Sequence, residues 1–142
     1  MSNFVMGLLL AQLLGGIYLM TFLWGAGQRS SNARATRLPD ALVFVHPVLA
    51  LAATSLWLVW MFDGERGWAW ATFVTLLLTA AGGTVLFLKT RTGGRVLDVP
   101  AADPADVRVA EKQIPPIADH LHGLMGTVLV VCVLLVALGV LD

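Results

Sequence analysis

The chain has 142 residues, of which 58% are hydrophobic and only 13% charged, and its nine basic and nine acidic side chains cancel to zero net charge. Ordinary globular proteins hold about 45–50% apolar and about 25% charged residues, and one small core cannot hide the excess. A mean hydropathy of +0.82 therefore argues against a soluble domain, the neutral balance excludes a broad basic face for nucleic-acid phosphates, and the single cysteine, Cys132, excludes an intrachain disulfide or a Cys-based metal cluster.

Four stretches lack Asp, Glu, Lys and Arg: 4–28, 41–62, 67–88 and 120–141. Each reaches the roughly 20 apolar residues that a helix needs to cross hydrocarbon. None alternates as a barrel strand would, and backbone polar groups in lipid must bond internally, so helices are expected. The expected fold is all-α, a four-helix transmembrane bundle forming one membrane domain over 1–142. Its spans are placed at about 4–27, 41–62, 67–88 and 118–141, with a cytoplasmic loop over 89–117.

The first span reads as a retained helix rather than a signal peptide. Met1-Ser2-Asn3 carries no basic side chain, and the apolar run exceeds the roughly 7–15 residues of a signal h-region. Its one amide, Gln12, reads as interhelical glue, and Gly7, Ala11 and Gly15 at spacings of four read as a ridge for internal packing. The second span begins near Ala41 and presents His46, Ala50, Ala53, Thr54 and Trp57 along one face. Trp57, Trp60, Trp68 and Trp70 flank the second loop, as an aromatic belt would. The third span carries Gly82-Gly83, where a backbone could approach closely. In the loop that follows, Asp103 and Pro104 predict the start of a short surface helix reaching about Gln113, and Pro115-Pro116 separates it from the fourth span.

The basic residues orient these spans. Arg29, Arg34 and Arg37 lie in the first loop, and Lys89, Arg91, Arg95, Arg108 and Lys112 follow the third span; the second loop has only Arg66, beside Asp63 and Glu65. Eight of nine thus fall in loops one and three, which the positive-inside rule places in the cytoplasm, with both termini outside.

Catalytic motifs are missing from the sequence: it has no nucleophile elbow, no glycine-rich phosphate loop and no HExxH. An independent catalytic activity is therefore not expected. No acidic residue lies deep in a span, which argues against proton-coupled transport. The remaining polar groups of interest are His46, His120 and His122. Both of their helices enter from the cytoplasmic side, so the imidazoles reach one level, about 7–8 Å inside at about 1.5 Å per residue. His120 and His122 diverge by about 200° around the helix, so only one turns readily towards His46; His122 is preferred.

One histidine from each of two helices, above a floor of Gly and Ala, suits a single b-type haem, with His46 and His122 or His120 as iron ligands. Three other readings compete with it. His46-Pro47 could begin a helix and all three histidines could be interfacial. A metal could be held by His46, His120 or His122, and Asp119. A quinone could bond a histidine, with Tyr18 or Trp24 nearby.

The segment from Ala110-Glu111 to Pro115, followed by His122-Gly123 and a Val/Leu-rich run, together with His46-Pro47 before a Trp-containing helix, resembles small four-helix membrane proteins of high-GC bacteria. The resemblance covers spans two to four, implies a multi-pass protein of the bacterial inner membrane and brings no known activity. The plan is also similar in architecture to single-haem membrane cytochrome b subunits. Two-haem versions carry two well-separated histidines on each ligand helix, which this chain lacks, so a second haem is not expected. The functional expectation is a haem-b electron-transfer subunit with respiratory-complex subunits or quinone as partners. The alternative is a non-catalytic accessory or assembly subunit without cofactor.

Overall fold

A computed structural model describes residues 1–27, 38–92 and 114–141. Four helices account for nearly all of them: α1 (Ser2–Gly27), α2 (Asp40–Asp63), α3 (Arg66–Thr92) and α4 (Pro116–Ala137). Each is long and apolar enough to cross a membrane, and there is no strand among the described residues. The predicted loop helix at 103–113 falls outside them.

The helix ends follow local chemistry. Pro39 and Pro115 precede α2 and α4 in extended conformation, where a residue without an amide proton costs no helical hydrogen bond. Gly64, at φ 73°, stops α2, and its amide donates to Trp60 O. Gly139, at φ 72°, follows α4 and donates to Val136 O. Both need the left-handed region that glycine occupies without a Cβ penalty. Asp40, not His46-Pro47, begins α2, so Pro47 lies inside the helix and leaves Val43 O without its usual amide partner. Pro47 stands about two turns into α2, and prolines inside membrane-spanning helices are tolerated where neighbouring helices and side chains re-satisfy the freed backbone groups.

The helices pack as a closed ring, α1 against α2, α2 against α3, α3 against α4 and α4 against α1. Contacts at the ends make neighbours antiparallel: Trp57 near the end of α2 donates to Ser2 O at the start of α1, and Arg91 at the end of α3 pairs with Asp119 at the start of α4. Consequently α2 and α4 run parallel, across the bundle diagonal from each other.

The core lies at the end of the bundle that holds the α2–α3 turn. Val5, Leu9, Ala53, Trp57, Leu76, Leu129, Val133 and Val136 form one cluster. Trp57 fills its centre with no exposed surface, so it is not part of an interfacial belt. Its indole N–H finds Ser2 O at 3.3 Å, and its ring stacks on Trp60 with centroids 4.4 Å apart. A large ring is needed where four helices converge, and the bonded N–H removes the cost of burying it. Thr72 and Thr79 are also buried, their hydroxyls donating to Trp68 O and Thr75 O one turn back. The outer faces are apolar almost throughout, with Leu14, Phe62 and Ile117 each more than two-thirds exposed, as expected when the solvent is lipid.

Candidate functional site

At the end away from this core, each helix contributes one polar group at the same level. His46 and His122 are six residues beyond the starts of α2 and α4, a matched depth of about 9 Å along each axis. Their ring centroids are 6.4 Å apart, with 61° between the planes. Gln12 of α1 and Thr79 of α3 complete the layer.

The two imidazoles are held differently. His46 Nδ1 lies 2.9 Å from Thr79 O. A carbonyl only accepts, so Nδ1 carries the proton and donates, and the lone pair is left on Nε2. Nε2 faces α3, 3.8 Å from where a Cβ on Gly83 would stand. For His122 the amide of Gln12 decides the tautomer. Gln12 Nε2 donates to the main-chain oxygen of His122 at 3.0 Å, which identifies that end of the side chain as the amine. The same amine lies 3.3 Å from His122 Nε2, which must therefore accept. Nδ1–H of His122 and Oε1 of Gln12 are then buried with no partner among the described residues. Each such orphaned group costs about 1–3 kcal/mol.

Glycines make room for both rings. A Cβ on Gly83 would lie 2.9 Å from Cε1 of His46, and one on Gly15 would lie 3.2 Å from Nδ1 of His122. Gly82 and Gly16 border the same two rings, and a Cβ on Gly126 would meet Gln12 Nε2 at 3.0 Å. The histidines thus occupy one diagonal, α2 to α4, while glycine pairs occupy the other, Gly15-Gly16 on α1 and Gly82-Gly83 on α3.

His120 points elsewhere. It is exposed, edge-on to Phe87 at 5.4 Å, and 2.8 Å from Arg91 Nη2. Arg91 also pairs through Nε with Asp119 at 3.5 Å and stacks over Phe87. Asp119 is mostly buried and engaged by Arg91, its Oδ2 making this ion pair but no hydrogen bond, and no group of three metal-binding side chains forms around it among the described residues. Tyr18 is turned outward against Phe22, at 5.2 Å, and the side chain of Trp24 falls outside those described.

The residues that sequence reasoning undervalued are Gln12, Gly15, Gly16 and Thr79. Gln12 and His46 share a level because Ser2 meets Trp57, and ten residues along α1 match eleven back along α2. That register depends on a tertiary contact and has no local signature.

The distance between the two rings is what bears on an axially ligated haem. Two coaxial imidazoles bonded to one iron through bonds of about 2 Å put their ring centres roughly 6 Å apart, against 6.4 Å here, but the nitrogen-bearing edge of His46 faces Gly83 and that of His122 faces Gly15, Gly16 and Gln12, so both rings would have to turn to share a metal. The bond from His46 Nδ1 to a main-chain carbonyl matches the usual support of a metal-binding histidine. No family model, curated protein or solved structure matches this chain.

Proposed function

We propose that the protein is a b-type haem-binding subunit that passes electrons within a respiratory or redox complex. It sits in the bacterial inner membrane with both termini outside and the histidine layer in the cytoplasmic half. The observation that carries this reading is the juxtaposition of His46 and His122 across the α2–α4 diagonal, inside four apolar helices. Haem bound there would supply one-electron exchange between ferrous and ferric iron. His46 and His122 would hold it, Thr79 O would orient His46, and the glycines of α1 and α3 would leave backbone rather than side chain along the second diagonal. Lipid-facing residues around the layer exclude water. Electron partners would be neighbouring redox subunits or a quinone.

The test is a dithionite-reduced minus oxidised spectrum of the protein purified in mild detergent. A Soret and α-band pair is expected, lost in His46→Ala, weakened in His122→Ala and unchanged in His120→Ala. A colourless, folded protein that takes up no added haemin would refute the reading.

A second reading, an accessory or assembly subunit without cofactor, draws on the bonds already made. His46 reaches α3 and His122 is bonded by α1, and such interhelical hydrogen bonds register helices in lipid. It is favoured if the colourless protein loses stability in His46→Ala and His122→Ala.

A further inference from the structure

We infer that residues 40–46 form a hinged segment of α2, with Pro47 as the hinge and His46 as a latch on α3, and that release of this latch opens the polar layer to water. The inference stands with or without a cofactor. Pro47 divides α2 unequally. Beyond it, Ala53 and Trp57 belong to the core cluster, and Trp60 and Met61 pack against that cluster; no residue of α2 before Pro47 does either. Across the proline the helix lacks the bond to Val43 O, and helices bend most readily where such a bond is missing.

Residues 40–46 are fastened by apolar contact and by a polar bond to α3. Val43 is buried, and Leu42 Cδ2 lies 3.8 Å from where a Cβ on Gly82 would stand. His46 supplies the polar bond, donating Nδ1–H to Thr79 O at 2.9 Å. Its ring fills the notch left by Gly83, where a Cβ would stand 3.5 Å from Nδ1 and 3.8 Å from Nε2. The ring therefore reaches across to α3, and a swing about Pro47 draws it out of the notch. The other members of the layer, Gln12, Thr79 and His122, stay on α1, α3 and α4, so the departure of His46 uncovers them. Opening is also favoured from within. Gln12 Oε1 and His122 Nδ1 are buried with no partner among the described residues, and water entering the layer would satisfy both. The latch opposes that hydration.

The test is the rate at which Thr79→Cys, in a Cys132→Ala background, reacts with a small water-soluble methanethiosulfonate in nanodiscs without added haemin. Thr79 is 7% exposed, and its main-chain oxygen, which the substitution keeps, is the acceptor of the latch. The reaction is expected to be slow and to follow the population of the open form. His46→Leu removes the donor and should speed it about tenfold, the worth of one ordinary hydrogen bond. Pro47→Ala restores the helical bond to Val43 O and should slow it by a comparable factor. The double variant should return to about the wild-type rate. Ala53→Cys, beyond the hinge and fully buried, should react no faster in any of these backgrounds. An unchanged rate in either single variant would overturn the hinge and latch. So would a double variant as fast as His46→Leu alone, or a parallel acceleration at Ala53→Cys, which marks global loosening. Pro47→Ala adds a backbone bond, so it keeps the test decisive if His46→Leu does not assemble. Haemin uptake enters none of these rates, so failure of the haem reading would show separately.

Discussion

A Cβ on Gly83 would lie 2.9 Å from Cε1 of His46, closer than carbon atoms tolerate, whereas nothing lies within 4 Å of one on Gly7. The same substitution should therefore have opposite effects at the two sites. Gly83→Ala must push the His46 ring away from α3 or part the helices, an overpacking cost of about 1–3 kcal/mol, and it should strain the bond to Thr79 O. Gly7→Ala meets no obstacle and should stabilise α1 by about 0.5–1 kcal/mol through the helix preference of alanine. Unfolding in mixed micelles, followed by circular dichroism, would measure both. Equal shifts would show that Gly83 is not a contact surface for the imidazole. At this scale the sequence is legible through residue types: His46, His120 and His122 stand out because imidazoles are rare in such apolar runs. Which of His120 and His122 faces inward was left to helical phase, and the structure answers by surrounding His122 with α1 and pairing His120 with Arg91.

Helix by helix, the four elements were legible because lipid leaves the backbone no other way to bond. Their faces were less so, since in a membrane both inner and outer surfaces are apolar and hydrophobic periodicity fades. Two expectations failed for that reason. The Gly7–Ala11 ridge of α1 faces outward instead of serving internal packing, with Gly15 alone of the three turned to His122. Trp57, expected in an interfacial belt, is the centre of the core. Its role is testable against a neighbour on the same helix. Trp57→Ala should cost about 3 kcal/mol, mostly as lost packing, because lipid is as apolar as the cavity it leaves. Phe62→Ala, at a position 86% exposed, should be nearly neutral. Comparable losses in the same unfolding assay would mean that the core is misplaced.

Taken whole, the molecule is polarised along its axis. A tight apolar core occupies the end with the α2–α3 turn, and the polar layer of Gln12, His46, Thr79 and His122 occupies the other. Which end faces the cytoplasm does not follow from the helices, and the charge distribution is what predicts it. Asp63, Glu65 and Arg66 border the turn between α2 and α3, while Lys89 and Arg91 lie in the last turn of α3 and the other six basic residues belong to the segments that join α1 to α2 and α3 to α4 in the sequence. Lys and Arg resist translocation, so the histidine end should stay inside. Cysteine labelling tests this directly. In a Cys132→Ala background, Glu65→Cys should react with a membrane-impermeant maleimide in intact cells, and Arg95→Cys should react only after permeabilisation. The reverse pattern would move the histidine layer to the outer half of the membrane. The arrangement of His46 and His122 would survive that inversion, because it is set by contacts within the bundle, but under the proposed reading any redox partner would then have to be extracytoplasmic.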